Sequence, residues 1–263
     1  MAPKLLVVGG GKMGSALLGG LVAAGWARLG DLAVSDPDPD QRRRLADLHP
    51  GLEVVEGPVE ADGALLAVKP DVAEGVVRTL SAVGITRVLS VVAGLSTARL
   101  EAALRPGDVV VRAMPNLPAL IGAGAAGMSG GSAASAADLD WAEGILASVG
   151  TVVRLPERQL DAVTAVAGSG PAYVFLVAEA MIEGGVMAGL SRQVSQELVV
   201  ATILGSARLM AESGDDPGAL RAEVTSPGGT TAAALRTLEF KAVRSAFIEA
   251  VAAATERSRQ LGR

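Results

Sequence analysis

Three glycines carry the first chemistry in this sequence. Gly9, Gly11 and Gly14 stand in Gly9-Gly10-Gly11-Lys12-Met13-Gly14, directly after the apolar run Leu5-Leu6-Val7-Val8. The first glycine allows a tight turn, the second lets a pyrophosphate approach the backbone, and the third lets helix and strand pack closely. A helix opening there presents free N–H groups and the positive end of its dipole to an anion. Spacing alone is weak in a chain with 33 glycines; the position between strand and helix gives it weight. Two further clusters lie downstream: Ala167-Gly168-Ser169-Gly170-Pro171-Ala172-Tyr173 and Val224-Thr225-Ser226-Pro227-Gly228-Gly229-Thr230-Thr231. Each ends where a helix begins. Around Gly228 and Gly229 the amides form a cradle for a carboxylate, and Ser226, Thr230 and Thr231 offer hydroxyls. Plain capped helix connections explain a proline and a serine, but explain less well a run of Ser-Pro-Gly-Gly-Thr-Thr.

The missing residue types narrow the chemistry. There is no cysteine and a single histidine, His49, which excludes disulfides, thiolate catalysis and Cys- or His-rich metal sites. No metal is expected. Reduction of a carbonyl makes an alkoxide and calls for a good general acid; a protonated imine already carries its proton and needs hydride, a carboxylate anchor and weak hydrogen bonding at nitrogen. Lys69 and Tyr173 remain open as acids, yet the imine asks less of this residue set. Ser35-Asp36 falls where an acidic side chain grips the adenosine ribose, which favours NADH. Arg42-Arg43-Arg44 pulls toward a 2'-phosphate, and so toward NADPH. Ala67-Val68-Lys69-Pro70 and Met114-Pro115-Asn116 each follow a candidate strand, at the end where open α/β sheets bind ligands.

The elements that must position these residues alternate in the first half. Strands are expected at 5–8, 32–35, 64–68, 87–92, 109–113 and 152–155, with helices at 13–24, 42–48, 72–82, 97–104 and 133–148. Short apolar runs separated by helices predict a parallel sheet covered on both faces. From 156 onward no strand is expected; helices are read at 160–167, 172–188, 194–211, 217–223 and from 231 to the end, broken near Glu239. The division is 1–155, an α/β nucleotide-binding domain, and 156–263, an all-helical domain. Half the residues are hydrophobic, 19% are charged and the net charge is -5, a globular composition with no basic surface for nucleic acid. The uncharged stretches 113–137 and 162–178 are broken by Pro, Gly and Ser and are not read as membrane spans. Tyr173-Val174-Phe175-Leu176-Val177 is apolar on every face, so a second subunit is expected to cover it, the alternative being a place at the centre of its own bundle.

Taken together, the motifs resemble the pyrroline-5-carboxylate reductase family. The resemblance rests on Gly9-x-Gly11-x-Met13-Gly14, Ala67-Val68-Lys69-Pro70, Met114-Pro115-Asn116 with Pro118, Gly168-Ser169-Gly170-Pro171-Ala172-Tyr173 and Thr225-Ser226-Pro227-Gly228-Gly229-Thr230-Thr231. It implies a Rossmann-type domain followed by an all-helical dimerisation domain, and a cytoplasmic enzyme that reduces 1-pyrroline-5-carboxylate to L-proline with NADPH or NADH. It also implies a dimer that assembles further into a decamer. Ser226, Gly228, Gly229 and Thr230 would surround the substrate carboxylate, and Thr231 would lie near the ring nitrogen. Met114, Pro115 and Asn116 would face the nicotinamide, with Lys69-Pro70 nearby. Gly9, Gly11, Lys12, Met13, Gly14, Ser35, Asp36, Ala67 and Val68 complete the cofactor set. Lys12, Leu117 and Ala167 stand where the family commonly has Asn, Thr and Ser. The competing readings are another Rossmann-type reductase of a small imino or hydroxy acid, and a non-catalytic NAD(P)-binding protein.

Overall fold

In a computed structural model describing residues 2–262, the chain divides into two compact units: Met1–Ser169 with Ala254–Arg263, and Gly170–Ala253. The boundary expected at 155 marks the end of the sheet. Compactness divides the chain later, after Ser169, beyond the helical segment that runs from Glu157 to Gly168, and gives the last ten residues to the first unit.

The first unit contains an eight-stranded sheet in the order β3-β2-β1-β4-β5-β6-β7-β8. The strands are β1 (Leu5–Val8), β2 (Leu32–Ser35), β3 (Glu53–Val55), β4 (Ala64–Leu66), β5 (Arg87–Ser90), β6 (Val109–Met114), β7 (Gly124–Gly130) and β8 (Gly150–Arg154). Its helices are α1 (Lys12–Ala23), α2 (Pro39–Leu48), α3 (Pro70–Ala82), α4 (Thr97–Glu101), α5 (Ala136–Ala147) and α6 (Leu160–Val163). Side chains alternate across a strand, so Leu5 and Val7 enter one core with Leu17, Leu21, Ile145 and Leu146, while Leu6 and Val8 enter the other with Val77, Leu80 and Leu100. Both faces are therefore helix-covered. This explains why the strands read as unbroken apolar runs.

Two strands depart from expectation. β3 is a short edge strand with little burial. β7 pairs antiparallel with β6 and parallel with β8, so the sheet is mostly rather than wholly parallel.

The second unit is helical: α7 (Gly170–Met187), α8 (Arg192–Ser213), α9 (Pro217–Glu223), α10 (Thr230–Phe240) and the first part of α11 (Val243–Leu261). Ser191 caps α8 by accepting from the Val194 amide, and Gly214, in the left-handed conformation, ends it; Asp216 caps α9. Tyr173 meets Phe247 edge-to-face with ring centroids 6.5 Å apart. Large apolar side chains of α7 and α8 nevertheless stay uncovered in one subunit, among them Phe175, Leu176, Leu198 and Leu204. By length and composition alone, Glu157–Met187 and Arg192–Ser213 are apolar enough to cross a membrane.

Candidate functional site

The sheet order reverses beside β1: β2 and β3 lie on one side, β4 and the rest on the other. Ligands of open α/β folds bind at such a switch point, outside the carboxyl ends of the strands. The loops after β1 and β4 meet there. Gly9 donates to the Ser35 carbonyl at 2.8 Å, and Ala67 donates to the Val8 carbonyl at 2.8 Å. Gly9 has φ +98°, and a Cβ on it would lie 2.5 Å from the Ala67 carbonyl oxygen. A Cβ on Gly14 would lie 2.0 Å from the Gly9 carbonyl oxygen. Neither position admits another residue.

Gly11 behaves oppositely. It is exposed, and a Cβ there would meet nothing within 4 Å. Gly11 is also the N-cap of α1, with no side-chain cap and no acidic residue in the first turn. The amides of that turn are left for an anion. These features fit a pyrophosphate. Lys12 and Lys69 are both exposed. Lys69 caps α3 ahead of Pro70 without a side-chain cap bond.

Side chains that the glycine pattern does not reveal hold this loop in place. The Asp36 carboxylate accepts from the Gly10 amide at 2.8 Å and from the Asp38 amide at 2.9 Å. Ser15 donates to the Gly10 carbonyl at 2.8 Å, and the Gln41 amide donates to the same oxygen. The backbone N–H and C=O of Gly10 are thus both fixed. Gln41 carried no signal in the sequence, because its role depends on α2 lying against the loop.

Met114-Pro115-Asn116 leaves β6 at the same end of the sheet. Asn116 is 9% exposed, and its amide is turned inward. Its Nδ2 donates to the Ala167 carbonyl at 3.1 Å, and its Oδ1 accepts from the Ala125 amide at 2.9 Å. Ala167 lies in a π-helical turn, Thr164–Gly168, between α6 and α7. A Cβ on Gly168 would lie 3.3 Å from the Met114 Cε. The structure therefore joins the Met114–Asn116 motif to the start of the Gly168 motif.

Nearby, Glu157 accepts from the Thr97 amide at 2.8 Å, the Thr97 hydroxyl at 2.7 Å and Arg112 at 3.1 Å. Burial raises the Glu157 carboxyl, but these donors outweigh it and hold the group below its ordinary value.

In the second unit, Ser226-Pro227-Gly228-Gly229 forms a turn closed by the Gly229 amide on the Ser226 carbonyl at 3.0 Å. Gly228 has φ +68°, which a Pro-Gly turn requires at that place. Gly229 is the N-cap of α10, with no side-chain cap and no acidic first-turn residue. The amides at the helix start are again left for an anion. Thr230 is exposed and Thr231 half-buried on the first turn. No group of three or more His, Asp or Glu side chains is placed to hold a metal among the described residues.

The sheet, its switch point and the glycine cradle define a dinucleotide-binding protein of the Rossmann type. Comparisons with known proteins take this further. Residues 4–94 match the family described as NADP oxidoreductase coenzyme F420-dependent, and 157–261 match pyrroline-5-carboxylate reductase dimerisation. A pyrroline-5-carboxylate reductase of Synechocystis is 40% identical, with all of both chains covered. The solved pyrroline-5-carboxylate reductase of Coxiella burnetii superposes with TM-score 0.93 at 32% identity over 100% of both chains. That of Plasmodium falciparum, solved with NADP bound, gives 0.88 at 31% identity over 99% of this chain and 98% of its own. The chain belongs to the pyrroline-5-carboxylate reductase family.

Proposed function

We propose that this enzyme reduces 1-pyrroline-5-carboxylate to L-proline, with the substrate carboxylate on the amides at the start of α10. The observation that carries this reading is the uncapped helix start behind Gly229, flanked by hydroxyls and free of acidic residues. An anion there meets donors whose partners are otherwise missing. Ser226, Gly228, Gly229 and Thr230 hold the carboxylate. The Thr231 hydroxyl hydrogen-bonds the ring nitrogen and fixes the tilt of the imine. Because the protonated imine brings its own proton, no strong general acid is needed.

In the first unit, Gly9, Gly11, Lys12, Met13 and Gly14 bind the pyrophosphate, Ser35 and Asp36 the ribose, and Ala67, Val68, Lys69 and Pro70 line the path toward the nicotinamide. Lys69 adds positive charge at the rim. Met114 and Pro115 form the wall beside the nicotinamide, and Asn116 positions them through its two internal bonds. When bound, the reduced nicotinamide supplies the hydride.

Residues 1–155 act as the nucleotide domain and 156–263 as the dimerisation and substrate domain. The uncovered faces of α7 and α8 form the subunit seam, supported by the dimerisation family matched over 157–261. Assembly of dimers into a decamer follows the family resemblance. A cytoplasmic location likewise follows the family resemblance.

Thr231→Ala tests the assignment. Loss of a hydrogen bond worth about 1–3 kcal/mol in the transition state should lower kcat roughly 5- to 150-fold, with cofactor affinity unchanged and Thr231→Ser largely restoring the rate. Wild-type turnover in Thr231→Ala would remove Thr231 from the mechanism.

A further inference from the structure

We propose that a cavity in the first unit, lined by Arg112, Arg158 and Arg259, binds a phosphate-type oxyanion, free or carried by a small phosphomonoester. The cavity measures about 490 Å³ and uses none of the residues assigned to the cofactor or the substrate carboxylate. Three elements bring its cations together. Arg112 stands on β6, Arg158 on the single-turn helix Glu157–Gln159, and Arg259 on the last turn of α11. Two glycines seat the end of α11 on the loop after β5. A Cβ on Gly94, at φ +78°, would lie 3.0 Å from the Leu261 carbonyl oxygen, and one on Gly262 would lie 3.0 Å from the Gly94 carbonyl oxygen. The buried Ser258 hydroxyl donates to Asp161 at 2.7 Å and ties the same helix to α6. Arg259 is thereby held at the rim.

The donors there are largely unspent. The Arg112 side chain is 11% exposed, and its one ion pair runs from Nη1 to Glu157 at 3.1 Å. Among the described residues no buried side-chain nitrogen lacks a partner, so the other N–H groups of this fork open on the cavity. Arg158 is exposed and makes no ion pair among the described residues. Arg259 meets Glu256 at 3.6 Å on the surface, a contact that gives way to a stronger acceptor. Two further carboxylates bear on the site. Glu157 is engaged by Thr97 as well as by Arg112, and Asp161, which lines the cavity, by Ser258. Three guanidiniums against one lining carboxylate leave the cavity positive in a chain of net charge -5. A carboxylate ligand fills a single planar fork; a tetrahedral phosphate has oxygens for forks that come from three elements. The volume leaves room for a small group beyond the phosphate.

Calorimetric titration of the purified enzyme with inorganic phosphate, and separately with glycerol phosphate, reads the binding. The enzyme is first saturated with NADH and L-proline, so that the helix starts of α1 and α10 are occupied, and ionic strength is held constant with chloride. The wild type should bind with a dissociation constant of roughly 1 mM or below. Tighter binding of the ester marks a phosphorylated metabolite as the ligand, and equal or weaker binding marks free phosphate. Arg158→Ala and Arg259→Ala change exposed side chains and leave the fold intact. Each should weaken phosphate binding about fivefold or more, with cofactor affinity unchanged. Phosphate should also raise the Tm of the wild type and not that of the double variant. Absence of binding by the wild type overturns the proposal. So does binding that both variants retain in full, or a rise in Tm that chloride reproduces at equal ionic strength. The two variants locate the anion whether or not the reductase reading holds.

Discussion

Gly11→Ala separates what the cradle does for the fold from what it does for the cofactor. Gly11 has φ -64°, ordinary for alanine, and the added methyl meets nothing within 4 Å. In the folded protein the change is therefore small. Reduced chain entropy in the unfolded state gains about 0.4–1 kcal/mol, and alanine is a poorer N-cap than glycine by a similar amount. The net lies within about 1 kcal/mol, a shift of roughly 2–4 °C in Tm for a chain of this size. Binding should respond very differently. The methyl projects over the uncapped first turn of α1, where the pyrophosphate sits in the proposed site, and lifts the anion off the amides. Losing two charge-assisted hydrogen bonds at about 1.5–3 kcal/mol each weakens cofactor binding roughly 10²- to 10⁴-fold. Thermal melting and cofactor fluorescence titration measure the two halves. Wild-type affinity in a normally folded Gly11→Ala protein would refute the placement of the pyrophosphate.

Glu157→Gln probes the acid limb of stability. The folded Glu157 carboxyl is held low by Thr97 and Arg112 against the opposing effect of burial, so its contribution is complete above the ordinary glutamate value of about 4.3 and is lost as pH falls through the lowered folded value. The variant should be less stable by about 1–3 kcal/mol at neutral pH, with the gap closing in acid; an equal gap in melts at both ends of the range would contradict the charge-based account. Leu176→Glu sets a carboxylate on the uncovered face of α7, where Leu176 is 64% exposed in one subunit. Burying that charge at a seam costs several kcal/mol, so sedimentation should show loss of the dimer. An assembly of unchanged mass would place the seam elsewhere.

Much of the nucleotide half was legible because its strands are buried on both faces. Leu5–Val8 and Leu32–Ser35 stand where the apolar runs put them. β7 was hidden for a physical reason. Its sequence, Gly-Ala-Ala-Gly-Met-Ser-Gly, has no β-branched residue. Small residues are required there, since a Cβ on Gly124 would lie 2.9 Å from the Val149 carbonyl oxygen and one on Gly127 2.9 Å from a Val163 methyl. Close approach erased the pattern by which strands are recognised. α2 begins at Pro39 rather than at the arginines, because Asp38 caps it and proline suits the first turn. The final helical stretch breaks at Ala242, φ +56°, close to the expected Glu239; an alanine gives no warning of a left-handed turn.

The site was legible as motifs rather than as contacts. The glycine roles follow from type and spacing, and the structure adds the missing Cβ room at Gly9 and Gly14 and the open side of Gly11. The use of Asn116 is another matter. Its amide faces Ala125 and Ala167, residues 9 and 51 positions away, and only the antiparallel turn into β7 and the π-helical turn bring them within reach. Likewise Gln41 reaches Gly10 from a different helix.

Turnover with the named substrate tests the central claim most directly. Purified enzyme is mixed with 1-pyrroline-5-carboxylate and either reduced cofactor, and loss of nicotinamide absorbance is followed alongside proline formation. The account predicts L-proline formed in step with cofactor oxidised. Tight cofactor binding with no oxidation on adding the imine would contradict it.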